Sequence, residues 1–553
     1  MRQGFEEMAR EFSNSEYVQK KFAANGYPSA PYPQYHKVVV IQDAIPEGTY
    51  GQWVSCNMIA GTAPDLIEIG MGLPAPIWLG YQTRYFEPLT QMANTPNPFN
   101  HDDPDMDPQL RDAPFRMTFD DAMRGGYTEE LQEYMRVPLS RFTTRVMYNK
   151  TLLHTLTGLD VPPTDLRGFL AVCKKVATFH DENGEAYIPI VSSGYHAGFW
   201  DGGMALPLTY GLLDKTDFNR DGTLGNDEMF AAIKSGRLSF SDPAIVARYK
   251  LFQDVKEYFQ PGFAALNRDD AVFRFAQQKA VFISTGTWDV MSLKQQAESK
   301  FEVGTMMYPQ PAKDDPEFGK FVLGPIYDPA GQGFPFGLTR FSKHPDIARD
   351  FMLFLGSRRG NEKMNNIIGW IPTITGAKMP DALTGFKPVN QGMYAAFNPD
   401  LGGQTVVKYQ QLNSQFMNQR PMVDAKGEKF YPPGACTYEK FMQDFEPFYK
   451  EKGLADWQEA QRDWRRSIIN NEKFLASIRG EALLNAPNDP ANSLWVKYRS
   501  YTSRRQVLPG ISHAEQETTV KKGPLRPVGP YEYLPEALAN LRKEIAATRP
   551  DGR

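Results

Sequence analysis

The stretch QWVSCNMIAGTAPDLIEIG, residues 52–70, holds a helix pattern followed directly by a strand pattern. Residues 52–63 predict a helix that ends at Gly61. Residues 64–70, PDLIEIG, predict a buried strand that Gly70 closes. A helix and a strand in close succession favour an α/β fold.

Other segments repeat this alternation along the chain. Helices are predicted at 4–23, 166–180 with Thr164 as N-cap, 243–259 with Pro243 in the first turn, and 344–357 with Gly356 as cap. Strands are predicted at 36–42, 137–150, 278–290 and 336–340. The pattern is mostly helical after residue 436. We therefore expect parallel α/β sheets and a helical C-terminal extension.

The amino-acid composition excludes some classes of protein and favours others. A chain of 553 residues with 41% hydrophobic and 23% charged residues folds into more than one globular domain. A net charge of −4 argues against a protein built to hold nucleic acid. Aromatic residues make up 13% of the chain, which suits both core packing and stacking on sugars. The sequence has no apolar run long enough to span a membrane.

Residues 217–228, DFNRDGTLGNDE, have the spacing of an EF-hand calcium loop, D-x-N-x-D-G-x-x-x-x-x-E. Gly222 stands where such loops turn sharply. The predicted ligands are Asp217, Asn219 and Asp221 through side chains, Thr223 through its carbonyl, Gly225 through a water, and Glu228 as a bidentate carboxylate. The alternative is an acidic surface turn. A single loop favours a structural Ca²⁺ over a regulatory one, because sensor sites act in pairs.

Seven segments, in this order, resemble extracellular solute-binding proteins of ABC sugar transporters, the family that includes maltose-binding proteins. The matching segments are 60–70, 85–92, 146–176, 273–290, 301–311, 337–364 and 369–377. The single calcium loop is similar to that of the alginate-oligosaccharide-binding members. The resemblance covers most of residues 1–380, and the chain after about 400 matches only in its helical character.

The resemblance implies a two-lobed periplasmic-binding-protein-like fold of type II, with the ligand in a cleft between hinged α/β lobes. The N-lobe would contain residues 1–138 and 300–359. The C-lobe would contain residues 139–299 and 360–553, including the calcium loop. The chain would cross between the lobes within 137–148, within 301–309 and near Arg359.

The family begins with a strand before the first helix, and a secretory signal precedes that strand. This sequence starts at the helix, so we expect that the first strand of the N-lobe is missing upstream. The resemblance also implies a periplasmic or extracellular, lipid-anchored location. It implies a monomer that delivers a carbohydrate, most simply an oligosaccharide, to an ABC permease.

The resemblance places the loop at 193–203 and the turn after the strand at 278–290 at the ligand. Six residues are predicted to bind the ligand there or from the first lobe: Trp288, Trp200, Tyr195, Asp201, Glu68 and Trp370. The aromatic side chains would stack on sugar faces, and Asp201 would accept hydroxyl protons. The alternative for each Trp is core packing.

Two other function classes remain open. A carbohydrate-active hydrolase or lyase would need a pair of carboxylates that the sequence cannot identify. The chain lacks the GxSxG, P-loop and Rossmann patterns, so no catalytic residue is predicted and the protein is expected not to be an enzyme. A calcium-dependent adhesion module would explain the loop at 217–228 but not the α/β order.

Overall fold

A computed structural model describes residues 2–24, 38–128, 131, 133–216, 232–297, 300–324, 326, 328, 330–389, 403–419, 421–424 and 429–467. The calcium loop predicted at 217–228 and the last predicted helix lie outside these residues.

Helices and strands alternate through the described chain. The helices are α1 (Arg2–Asn14), α2 (Glu16–Ala24), α3 (Glu47–Ala60), α4 (Ala75–Tyr85), α5 (Thr90–Ala93), α6 (Lys150–Thr157), α7 (Leu166–Val176), α8 (Gly194–Trp200), α9 (Leu213–Thr216), α10 (Pro243–Lys256), α11 (Arg268–Ala276), α12 (Thr287–Ala297), α13 (Pro345–Leu355), α14 (Arg358–Ile368), α15 (Gly403–Asn418) and α16 (Tyr438–Ser467). The strands are β1 (Leu66–Glu68), β2 (Tyr127–Thr128), β3 (Glu133–Tyr134), β4 (Val137–Phe142), β5 (Thr144–Asn149), β6 (Ile188–Val191), β7 (Ala280–Gly286), β8 (Val303–Met306), β9 (Gly331–Leu338), β10 (Met422–Val423) and β11 (Lys429–Phe430).

The chain divides into two compact units. Unit 1 contains the described residues of 2–143 and 330–384, and unit 2 contains those of 144–328 and 385–467. The chain thus passes between the units after Thr143, between residues 328 and 330, and after Thr384.

The sequence placed the second and third crossings earlier, at 301–309 and near Arg359. Both differences have a structural reason. Strand β8, at Val303–Met306, pairs with β5 inside unit 2. Helix α14, which begins at Arg358, packs its Met364 into the core of unit 1.

Unit 1 is built on a three-stranded sheet in the order β1-β9-β4. Both pairings are antiparallel, with Ile67 opposite Gly337 and Val137 opposite Phe336. The expectation of a parallel sheet is therefore wrong for this unit, because helix–strand alternation along the chain does not determine which strands become neighbours. Residues 38–42, predicted as part of a strand, have no regular secondary structure.

Unit 2 contains a four-stranded sheet in the order β6-β7-β5-β8. Strands β6 and β7 run parallel, whereas β5 is antiparallel to both β7 and β8. All seven residues of β7 are buried, as expected for a central strand covered on both faces. The sheet is therefore mixed rather than parallel.

The long periodic helices were predicted well. Helices α7, α10 and α13 lie within the predicted ranges, Pro243 occupies the first turn of α10, and Gly356 caps α13. The N-cap of α7 is Asp165 rather than Thr164, and its carboxylate accepts a hydrogen bond of 2.8 Å from the Gly168 amide.

The helices α15 and α16 belong to unit 2 and pack on its α10. The ring of Tyr249 stacks on Tyr438 at 4.4 Å between centroids, and the hydroxyls of Tyr249 and Tyr409 lie 2.5 Å apart. The helical C-terminal extension thus starts as a packed part of the second unit. Among the helices described, none combines the length and the apolar character needed to cross a membrane.

In unit 1, Asn361 is fully buried beneath β4. Its amide nitrogen donates to the carbonyls of Leu139 at 2.8 Å and Leu355 at 3.2 Å, and its oxygen accepts from the Thr373 amide at 2.9 Å. This one side chain therefore satisfies buried backbone groups of three segments.

The change Asn361→Leu should lower the free energy of unfolding by about 2 kcal/mol or more, because it leaves these backbone groups without partners. Urea denaturation measures the loss. The control Asn366→Leu changes an exposed residue of the same helix and should shift stability by no more than about 0.5 kcal/mol. Equal losses in the two variants would contradict this interpretation of Asn361.

Candidate functional site

Two helices of unit 2 begin where its two parallel strands end. Strand β6 ends at Val191 and helix α8 begins at Gly194, while β7 ends at Gly286 and α12 begins at Thr287. Parallel strands present their carboxyl ends at the same edge of a sheet. The first turns of α8 and α12 therefore lie at one edge, which is where open α/β sheets bind ligands.

Three aromatic rings meet at this edge and are named here the aromatic face: Tyr195, Phe199 and Trp288. The ring of Phe199 lies 4.9 Å from that of Tyr195 and 5.8 Å from that of Trp288, between centroids. Tyr195 and Trp288 are 6.4 Å apart. Tyr195 is 38% exposed. The structure thus brings together two of the residues that the sequence predicted, 93 positions apart in the chain by their numbers, 195 and 288.

Gly286 is required for the position of Trp288. A Cβ atom added to Gly286 would lie 2.4 Å from the indole ring, which is closer than non-bonded carbon atoms approach. Only glycine at the end of β7 allows the indole to lie against the strand.

Buried polar groups hold in place the helix starts that carry the aromatic face. His196 is fully buried, and its Nδ1 lies 2.8 Å from the Ser193 hydroxyl. Burial, together with the nearby positive charge of Arg268, lowers the pKa of His196 to about 3, so the ring is neutral at pH 7. A neutral ring with this fixed hydrogen bond holds the first turn of α8 in place.

Asp289 supports α12 in the same way. Its carboxylate accepts hydrogen bonds from Arg268 and from the hydroxyl of Thr285. Burial raises the pKa of Asp289, while the charge of Arg268 opposes the rise. Thr285 belongs to β7 and Arg268 to α11, so the hydrogen bond fixes the start of α12 to the strand and the ion pair fixes it to α11.

Trp200 lies elsewhere than the sequence suggested. Its side chain is fully buried, and its ring lies 5.8 Å from both Phe169 and Tyr308 and 6.3 Å from Phe259. It fills the core of unit 2, which agrees with core packing, the alternative role considered for each Trp. Spacing alone could not separate Trp200 from Phe199, because neighbouring residues of a helix point to different sides.

Asp201 already has a cationic partner. Its two oxygens accept hydrogen bonds from Arg248, one of them from Nε at 3.0 Å. The Asp201 side chain is 28% exposed and that of Arg248 is 11% exposed. This two-point ion pair occupies both carboxylate oxygens of Asp201 and braces α10 against the helix that follows Trp200.

The two other predicted ligand-binding residues, Glu68 and Trp370, belong to unit 1. Glu68 is the last residue of β1, and its carbonyl accepts a hydrogen bond of 2.6 Å from the Tyr50 hydroxyl. Trp370 packs on Phe334 at 4.4 Å between centroids and lies against Gly333 of β9.

A cavity of about 660 Å³ lies within unit 2 beside the aromatic face. Phe199 belongs to both, and the other walls are mostly apolar or aromatic. The polar side chains in the lining are those of Thr144, Tyr210, Tyr308, Gln310 and Asp328. The volume falls in the range of small-molecule sites, and the mixture of aromatic walls with a few polar groups is typical of them.

Sequence reasoning missed Phe199 and Asp328. Phe199 follows Tyr195 by four residues, so helical spacing alone would have placed both on one face. Asp328 gave no such signal, because its partner Arg145 is distant in sequence. In the described part of the chain, no group of three or more His, Cys, Asp or Glu side chains is arranged to hold a metal ion.

Comparison with known proteins gives a family but no near relative. A family model described as "Bacterial extracellular solute-binding protein" matches residues 30–386, more than half of the chain. No curated protein sequence matches significantly.

Among solved structures, the chain is similar to the apo form of RafE from Streptococcus pneumoniae. The identity is 16%, the match covers 81% of this chain and 94% of RafE, and the TM-score is 0.47. It is also similar to the GacH receptor of Streptomyces glaucescens, crystallised unliganded and with acarbose. That identity is 16%, the match covers 79% of this chain and 96% of GacH, and the TM-score is 0.46. By the family match, this chain belongs to the bacterial extracellular solute-binding proteins.

Proposed function

We propose that this protein is the substrate-binding receptor of an ABC importer and that it captures a carbohydrate. The observation that carries the proposal is the aromatic face, where Tyr195, Phe199 and Trp288 meet at the carboxyl edge of β6 and β7. Membership in a solute-binding family supports a transport role.

The chemistry of the aromatic face fits a sugar better than a purely apolar solute. Sugar rings have one apolar face of C–H groups, which packs on aromatic rings, and an edge of hydroxyl groups, which needs hydrogen-bond partners. Phe199 joins the aromatic face to a cavity that offers a carboxylate, an amide and hydroxyl groups. An oligosaccharide is long enough to use both.

The rest of the assembly follows from the proposed role. The receptor would work outside the cytoplasm, as the family description indicates, and would be held at the membrane by a lipid anchor. It would act as a monomer that hands its ligand to a permease. It would have no catalytic residues and no nucleic-acid partner.

A structural Ca²⁺ in the loop at 217–228 belongs to the same proposal. Two observations on the flanking residues support it. Thr216 is the last described residue before the loop, and Ala232 is the first described residue after it. Both are buried in unit 2, and the Thr216 hydroxyl donates to the Leu212 carbonyl at 2.8 Å. A metal bound between two anchored ends would stabilise this unit.

Sugar binding should depend on the aromatic face. The variants Tyr195→Ala and Trp288→Ala should each weaken the best-bound oligosaccharide about tenfold, since one ring contributes roughly 1 kcal/mol or more of stacking and burial. A thermal-shift screen of neutral and uronic mono- and oligosaccharides identifies the ligand, and calorimetry measures the dissociation constants.

Phe273→Ala is the matched control, because Phe273 is a 59% exposed aromatic residue of unit 2 outside the aromatic face. It should leave the dissociation constant unchanged. The proposal fails if no saccharide shifts the melting temperature. Loss of glycosidic bonds, seen by chromatography, would support the hydrolase or lyase alternative instead.

The calcium loop gives a separate prediction. Removing Ca²⁺ with a chelator should lower the melting temperature of the wild-type protein, because binding to the native state alone stabilises it. Asp217→Ala should abolish the calcium-dependent part of the stability. The control Asp314→Ala removes an exposed carboxylate of unit 2 and should keep the full calcium effect. If the chelator leaves the melting temperature of the wild-type protein unchanged, the prediction of calcium at residues 217–228 is wrong.

A further inference from the structure

Arg145 is a wholly buried arginine beside the cavity of unit 2. Its side chain has no exposed surface, and it is the second residue of both β5 and unit 2. A buried guanidinium needs hydrogen-bond acceptors around it, because its charge cannot be left without partners away from water.

The acceptors of Arg145 come from three separate segments of the chain. Its Nη1 donates to the Thr144 carbonyl at 2.7 Å and to the Asp328 carboxylate, and its Nη2 donates to the Lys387 carbonyl at 2.7 Å. Each segment lies within a few residues of a point where the chain passes between the two units. One side chain therefore fixes three segments of unit 2 relative to one another.

The same three segments form one wall of the cavity, through Thr144, Asp328 and Val389. Asp328 and Val389 also exchange two backbone hydrogen bonds of 2.9 Å. The position of this wall thus depends on Arg145.

The cavity meets the carboxylate of this ion pair rather than the guanidinium. The Asp328 side chain is 31% exposed, whereas that of Arg145 is not exposed at all. Arg145 binds Oδ2 of Asp328, and Oδ1 has no hydrogen-bond partner among the described residues. A carboxylate oxygen held in this way accepts hydrogen bonds from hydroxyl or ammonium groups.

No cationic side chain is among the described residues that line the cavity. The ionisable lining residues are Tyr210, Tyr308 and Asp328. Lys320 lies with its ammonium group 5.0 Å from the centroid of the Phe321 ring, but Lys320 is exposed and is not part of the lining. An anionic ligand would therefore meet a carboxylate among apolar walls, where charges interact strongly.

We propose that Asp328 is the residue of this cavity that binds a ligand hydroxyl or amino group, that Arg145 is its positioning residue, and that the cavity therefore selects neutral or amino sugars over uronic acids. This inference rests on the proposed function as a carbohydrate receptor. This preference for neutral or amino sugars is the opposite of the preference expected of a receptor for acidic polysaccharide fragments.

The test compares two forms of one ligand. The best binder among maltotriose, raffinose, stachyose and chitotriose is titrated by calorimetry, alongside the same compound with one primary hydroxyl oxidised to a carboxylate. The wild-type protein should bind the neutral form at least about tenfold more tightly. Asp328→Asn, which keeps an acceptor for Arg145, should weaken the neutral form about tenfold and reduce the preference to about threefold or less.

Arg145→Lys tests the positioning role. A lysine keeps the charge but cannot hold three acceptors in the fixed geometry of a guanidinium, so the variant should weaken the neutral sugar by a similar factor. Arg358→Lys is the matched control. Arg358 is a buried arginine of unit 1 that binds Asp103 at 2.7 and 3.0 Å, so its variant should lower the melting temperature without changing the dissociation constant.

The outcomes separate the inference from the proposed function. If no saccharide binds, both are wrong. If the neutral and oxidised forms bind equally well to the wild-type protein, or if Asp328→Asn leaves both constants unchanged, the inference is wrong while the receptor function stands. If Arg358→Lys weakens binding as much as Arg145→Lys does, Arg145 has no specific positioning role.

Discussion

The position of strand β7 is the constraint on which the candidate site depends. All seven of its residues are buried, and it pairs with β6 on one side and β5 on the other. Because β6 and β7 run parallel, their ends bring Tyr195 and Trp288 to one edge of the sheet. Because β7 ends in Gly286, the indole of Trp288 can lie against it. The aromatic face thus follows from the pairing of two strands and from one missing Cβ.

Local sequence patterns predicted the helices and strands well, but they did not predict which strands pair with one another. Helical periodicity gave α7 and α10 almost to their ends, since each buries one apolar face. The same patterns implied parallel sheets, yet β9 is antiparallel to both its neighbours. Strand direction depends on contacts between residues far apart in the chain, such as Ile67 and Gly337, which local periodicity does not record.

The placement of Tyr195 and Trp288 at the sheet edge was predictable, because each lies close to the end of a strand. Trp288 is the second residue after β7, which ends at Gly286, and Tyr195 is the second residue of the helix that follows β6. Trp200 and Asp201 could not be separated from them, because burial in the core and an ion pair with Arg248 are set by tertiary packing. Asp328 could not be predicted from local sequence for the same reason, because its contact with Arg145 joins residues far apart in the chain.

The central claim is that the aromatic face of unit 2 binds a sugar. A crystal structure of the protein with the oligosaccharide that raises its melting temperature most tests this claim directly. The account predicts a sugar ring packed within about 4 Å of the side chain of Tyr195 or Trp288. A sugar bound with neither ring in contact, and with the aromatic face open to solvent, would contradict it.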